Sequence, residues 1–227
     1  MKELLALNRI KMDLRNCDCM DLMKEFPDKY FELAIVDPPY GVKQPAFRKE
    51  SKNKATSTKN YNNAVYNQKA PDFEYFKELF RVSKNQIIWG GNYYNSFLPD
   101  GKKWIFWDKG TEQTQWGDGE LAFTSFQGSI TKFKFDWNGM IQGDMKNKEE
   151  RIHPTQKPVA LYKWLLQNYA KKGDKILDTH LGSMSSVIAC YDEKFDITGS
   201  ELDPDYFKAG MERVKKHTSQ VRLDDLI

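Results

Sequence analysis

The run Phe31–Val36 (FELAIV) stops abruptly on Asp37-Pro38-Pro39-Tyr40-Gly41, and no other feature restricts the fold so tightly. A short apolar run closed by turn residues reads as a buried strand, and two prolines in a row, which lack N–H donors, cannot extend it. Comparable runs recur at 86–89 (QIIW), 103–107 (KWIFW), 120–126 (ELAFTSF), 175–177 (KIL) and 195–199 (FDITG). Between them, residues 18–25, 72–82, 159–170, 185–193 and 205–216 carry apolar side chains at helical spacing. Strands alternating with helices predict an α/β fold whose central sheet is mostly parallel and covered by helices on both faces. The chain shows no internal repeat. Its 227 residues, 40% of them hydrophobic, are enough for a large core.

Charge and composition exclude several classes. With 35 Lys+Arg against 32 Asp+Glu, the formal charge of +3 does not by itself nominate nucleic acid as a partner. A mean hydropathy of −0.72 and 30% charged residues speak against a membrane protein. Charged residues interrupt the leucines of the first fourteen positions, so no secretion signal is read there and a cytoplasmic location is expected. Cys17, Cys19 and Cys190 cannot all pair and have no partner cluster for zinc, which predicts reduced thiols and no metal. Two segments break the strand–helix rhythm. Residues 42–70 carry seven basic side chains against the single acid Glu50, a basic loop suited to phosphate contact or a merely solvated insertion. In 129–151, Phe133, Phe135 and Trp137 are interleaved with lysines, which fits either nucleic-acid stacking or the buried face of a strand.

The tetrapeptide Asp37-Pro38-Pro39-Tyr40 offers a carboxylate beside an outward Pro38 carbonyl. Two such acceptors suit the two N–H donors of an exocyclic amine on a nucleobase, with Tyr40 as a stacking surface. Taken alone, it also fits a strand end capped by a Pro-rich turn around a core tyrosine. Downstream, Lys175–Asp178 leads through Thr179-His180-Leu181-Gly182-Ser183 into a helix, as where a nucleoside-bearing cofactor meets a parallel sheet. The strand after it ends in Glu201, placed for two ribose hydroxyls. A lone Gly182 argues against a pyrophosphate and for a cofactor without phosphates. Asp178 as a helix N-cap and Glu201 as a solvated strand end are the plainer readings.

Together, Asp37–Tyr40, the run His153-Pro154-Thr155-Gln156-Lys157-Pro158, the 178–183 turn and Glu201 resemble, in that order, the S-adenosylmethionine-dependent DNA amino-methyltransferases of the permuted β class. The resemblance covers nearly the whole chain and is similar to the compact enzymes of phages and mobile elements. It implies a circularly permuted, Rossmann-like class I methyltransferase fold in one domain over 1–227, with a recognition segment at about 108–152. Asp37, Pro38, Pro39 and Tyr40 would be catalytic. Asp18, Cys19, Asp37, His153, Gln156, Lys157, Asp178, Thr179, Leu181, Gly182, Ser183, Glu201 and Leu202 would hold S-adenosylmethionine, with His153 supporting its turn. The expected partner is double-stranded DNA with its target base flipped out, and a homodimer is compatible with the resemblance. An initial Asp in the tetrapeptide implies adenine N6, with cytosine N4 as the alternative. An RNA or protein-amide methyltransferase, or a DNA-binding relative that no longer binds cofactor, are further alternatives.

One departure bears on the last alternative. Met184 stands where the family's turn has its second glycine. A positive φ there would strain a methionine or crowd the cofactor, whereas a place in the first helical turn would let the side chain pack inward. Retained binding is the expectation.

Overall fold

The computed structural model describes residues 10–41, 69–100, 103–111, 117–138 and 141–219. The basic stretch at 42–70, apart from its last two residues, lies outside the described residues. In chain order the elements are β1 (Met12–Arg15), α1 (Cys19–Lys24), β2 (Phe31–Val36), α2 (Phe73–Val82), β3 (Ser83–Trp89), a 3₁₀ turn at Gly91–Tyr93, β4 (Trp104–Asp108), β5 (Gly119–Thr124), β6 (Thr131–Lys134), a small pair β7 (Trp137–Asn138) and β8 (Ile141–Gln142), α3 (Val159–Tyr169), β9 (Lys175–Asp178), α4 (Ser185–Glu193), β10 (Asp196–Ser200) and α5 (Pro204–Thr218).

Eight strands form one sheet in the order β1-β10-β9-β2-β3-β5-β4-β6. All neighbours are parallel except at β5, which runs against both β3 and β4. The exception has a simple cause: the link from Asp108 to Gly119 is too short for the dozen or more residues of a parallel crossover. Each central strand buries both faces. Leu33 and Ile35 of β2 join Ile87, Trp89 and Ile176 under α3 and α4, while Ala34 and Val36 join Ile88 and Leu177 under α1 and α2. That is why the run in β2 is apolar almost throughout instead of alternating.

Local chemistry sets several helix starts. Asp18, Asp72 and Asp203 each accept backbone N–H groups at the N-termini of α1, α2 and α5, and Pro204 opens α5 where it needs no donor. Helix α3 has only Pro158 at its cap, and Glu149 supplies the missing acceptor from ten residues upstream, taking the Val159 N–H at 2.9 Å. The edge strands β1 and β6 are four-residue alternating segments without an apolar run; the sequence reading omits β1 and holds β6 only as one of two readings of Phe133, Phe135 and Trp137. The aromatic side chains of 129–151 turn inward. Phe133 packs on Trp164 at 5.2 Å, and buried Trp137 donates its Nε1–H to the Gln156 carbonyl.

The chain reverses direction across the sheet between β2 and β9. From β9 it passes through α4 to β10 on one side, and from β2 through α2 to β3 on the other. Such a switch point opens a crevice beyond the carboxyl ends of the two strands, where open α/β sheets bind ligands. Asp37 immediately follows β2, and Asp178 ends β9.

Candidate active site

A cavity of about 860 Å³ occupies that crevice, within the roughly 300–1,000 Å³ of small-molecule sites. Its walls come from the ends of β1, β2, β9 and β10, the start of α1, and the 153–157 turn. Of the predicted site residues, Asp18, Cys19, Asp37, Pro38, Pro39, Tyr40, His153, Gln156, Lys157, Thr179, Leu181, Gly182, Ser183, Glu201 and Leu202 all line it. Asp178 does not. It is buried behind the wall, where Oδ2 accepts the Ser186 hydroxyl at 2.5 Å and Oδ1 the His180 N–H at 3.1 Å. The carboxylate therefore ties the turn to α4 without capping that helix. Burial pushes its pKa up to about 7, against the opposing pull of those donors.

At the β2 end, the carboxylates and cations form a chain of alternating sign. Asp37 Oδ2 lies 2.5 Å from Lys157 Nζ, and Lys157 in turn lies 3.0 Å from Glu120 Oε2. Glu120 Oε1 takes Lys109. The Tyr40 hydroxyl donates to Asp37 Oδ1 at 2.8 Å, sits 3.1 Å from Glu120, and receives Lys157 at 3.2 Å. Burial raises Asp37, Lys157 lowers it and Glu120 raises it again, so its carboxyl ends above the ordinary range. Burial would raise Glu120 too, but Lys157 and Lys109 overcome it and hold that carboxyl down to about 2. The Pro38 carbonyl is not the free outward acceptor expected. It is buried and shares the Tyr94 hydroxyl with Pro39, both at 2.9 Å, which leaves it one lone pair for a ligand. Tyr40 stacks on Tyr93 with ring centroids 5.0 Å apart and planes at 19°. Gly90 is obligatory here, since a Cβ would stand 2.3 Å from the Tyr40 ring.

At the β9 end, contacts are short in sequence. Glu201 accepts the Gly182 N–H at 2.8 Å and the Asp203 N–H at 3.0 Å, and Asp18 accepts the Met20 N–H at 2.7 Å. His153 lies against Tyr206 and shares a hydrogen bond between its Nδ1 and the Thr155 hydroxyl; burial, and then Lys157, lower its pKa to about 4. His180 is lowered to about 4 by burial. Burial lifts the Cys19 thiol to about 12, so it is no nucleophile at neutral pH. Gln156 turns its side chain into its own loop, accepting the Ile152 N–H and donating to the Glu150 carbonyl.

A DNA methylase family model for N6 and N4 methyltransferases matches residues 46–212. The chain belongs to this family of S-adenosylmethionine-dependent DNA amino-methyltransferases. Among relatives, it is 24% identical to the Type II methyltransferase M.HpaI of Haemophilus parainfluenzae, over 85% of this chain and 70% of that protein. Its fold is similar to that of M1.HpyAVI in complex with S-adenosylmethionine (TM-score 0.57, 18% identity, 89% and 99% of the two chains). It is equally similar to PvuII DNA methyltransferase, which is cytosine-N4-specific (TM-score 0.58, 14% identity, 93% and 91% covered).

For a member of this DNA methylase family, Met184 is the informative departure. It does not lie inside the first helical turn; it precedes α4 with φ 58° and ψ 30°, the left-handed conformation that a second glycine would adopt without strain. Its side chain nevertheless points away from the cavity. It is fully buried, and a Cβ on Gly210 of α5 would meet it at 2.7 Å. The positive φ and the inward packing, opposed as alternatives in the sequence reading, occur together. Reading from sequence also missed Lys109, Glu120 and Tyr94, which no motif links to Asp37. The one available signal was Glu120, a charged residue near the start of a largely apolar strand.

Proposed function

We infer that this methylase transfers a methyl group from S-adenosylmethionine to N6 of an adenine flipped out of duplex DNA. The supporting observation is the Asp37 carboxylate at the switch point, on the wall of a cavity whose other carboxylates suit a cationic nucleoside. Asp18, Asp37 and Glu201 face the space, Lys157 is committed to Asp37 and Glu120, and Lys69 stands at the exposed margin. A phosphate-bearing ligand would meet repulsion there, whereas a ribose diol, an ammonium and a sulfonium all find acceptors. Gly182, at φ 49°, leaves the space in front of the His153 ring open.

When bound, S-adenosylmethionine supplies a methyl group on positively charged sulfur. This chain's residues then do the positioning. Glu201 holds the ribose hydroxyls through lone pairs left over from its two backbone contacts, and Leu181 and Leu202 flank the nucleoside. His153, neutral at working pH, walls the site without repelling a cation. Asp37 accepts an N–H of the target amine and favours the positive charge that grows on nitrogen during in-line attack. Tyr40 keeps that carboxylate oriented. No nucleophilic side chain is required, which agrees with the raised thiols of Cys19 and Cys190.

On this reading residues 1–227 form one catalytic domain, with the basic stretch 42–70 gripping phosphates and parts of 108–152 contributing to base recognition. Incubation with methyl-labelled S-adenosylmethionine and duplex DNA, followed by digestion to nucleosides, is expected to give labelled N6-methyl-2′-deoxyadenosine. N4-methylcytosine as the sole product would overturn the choice of base. Asp37→Asn is expected to lose about 100-fold or more of single-turnover transfer, far more than it loses in cofactor affinity.

A further inference from the structure

We propose that Glu120, a residue of β5 outside every motif named above, is a positioning residue for methyl transfer: it draws the Lys157 ammonium off Asp37 and so keeps the Asp37 carboxylate a strong acceptor. The inference rests on the reading that Asp37 accepts the target amine. Lys157 is 3% exposed and stands between the two carboxylates, 2.5 Å from Asp37 and 3.0 Å from Glu120, so neither owns its charge alone. A carboxylate closed onto one buried ammonium has its charge compensated before a substrate arrives and gains little from an amine turning positive. Sharing the ammonium avoids that closure.

Lys109 sets how far the sharing goes. It holds the other oxygen of Glu120, so Glu120 is itself partly compensated, and the four groups form a neutral chain ending at Asp37. The remaining groups that bear on Asp37 are Tyr40, through its hydroxyl, Tyr94, whose hydroxyl caps the Pro38 and Pro39 carbonyls, Tyr162 of α3, and Asp178 of β9. None of them changes in the variants below. Burial keeps the hydroxyls of all three tyrosines protonated.

Two substitutions pull the chain in opposite directions. Glu120→Gln leaves Lys157 wholly to Asp37, and Lys109→Met frees Glu120 to pull harder on Lys157. Carbon-13 NMR of aspartate-labelled full-length protein, with the Asp37 signal assigned by its loss in Asp37→Asn, reads the titration of Asp37 without DNA or cofactor. Glu120→Gln should lower the Asp37 midpoint by about one pH unit, a tenfold loss of proton affinity, and Lys109→Met should raise it. A residue that merely packs would not give shifts of opposite sign. Single-turnover methyl transfer at neutral pH should fall about tenfold in Glu120→Gln, with recovery in Glu120→Asp, which keeps the charge. An Asp37 midpoint that stays put, or moves the same way in both variants, would overturn the inference. Transfer that survives in Asp37→Asn would instead remove the reading beneath it, whatever the titrations show.

Discussion

The two ends of the cavity are built on different principles. At the β9 end, the carboxylates of Asp18, Asp178 and Glu201 are satisfied by donors 2 to 19 residues away, mostly backbone N–H groups of the same turn or helix start. At the β2 end, Asp37, Lys157 and Glu120 satisfy one another across separations of 37 residues or more, through side chains alone. Backbone donors fix a ligand site wherever the turn itself is folded. A buried ionic chain holds its shape only when all members are present, because each ion's desolvation is offset by the next. The first end should therefore tolerate single substitutions, and the second should not.

The largest test of that contrast is Lys157→Met. It leaves Asp37 and Glu120 half-buried, close together and without their buried shared cation, and breaking a buried ion pair from one side costs about 3–5 kcal/mol. Urea unfolding at neutral pH should show a loss in that range. Adding Asp37→Asn to Lys157→Met should restore part of it, since one of the uncompensated charges is then gone.

The same contrast explains what could be read from sequence. Six strands, five helices and the cavity-lining residues of the β9 turn follow from apolar runs, helical spacing and a strand-acid-glycine order, all of which act over short stretches. Strand β5 was visible, but its reversed direction depends on the short link from β4. Glu120 stands out as a charge in an apolar strand, but neither it nor Lys109 was visible as a partner of Asp37, because only the β3-β5-β4 order carries them there. Met184 shows the converse. The residue type announced a departure, but its direction was set by contact with Gly210, a residue of a different helix.

At the β9 end, pH isolates one group. Between 3.8 and about 7, Asp178 keeps its proton in the folded protein and loses it in the unfolded chain. Its contribution to stability is therefore complete below the unfolded pKa and is lost as pH rises through the folded value. His153 and His180, held near 4, act oppositely and lose stability as pH falls below 6.5. Comparison with Asp178→Asn separates the terms. Relative to that variant, wild type without ligand should lose on the order of 3 kcal/mol between pH 5 and pH 8, measured by urea unfolding. Parallel pH profiles would mean that Asp178 is ionised throughout.

Met184→Gly should have a smaller net effect, because two terms oppose. Glycine relieves roughly 1–2 kcal/mol of left-handed strain, but removing a buried methionine costs about 2–5 kcal/mol. A net loss of about 1–3 kcal/mol is expected from these terms. Calorimetric affinity for S-adenosylmethionine should change less than about twofold, since the side chain points away from the cavity. A large gain in affinity would place the methionine in the cofactor's way.

The smallest effect on stability, and the sharpest on this comparison, belongs to Asp18→Ser. Asp18 does two jobs with one carboxylate: Oδ1 caps α1 through the Met20 N–H, and the group faces the cavity. Serine caps about as well as aspartate, so thermal unfolding should move by no more than about 0.5 kcal/mol. Serine brings no charge, so affinity for a cationic nucleoside should fall even though the fold does not weaken, by about threefold to tenfold for a partly solvated contact. If stability and affinity fell together, the cap and the ligand contact would be inseparable, and the β9 end would share the all-or-none character of the ionic chain opposite it.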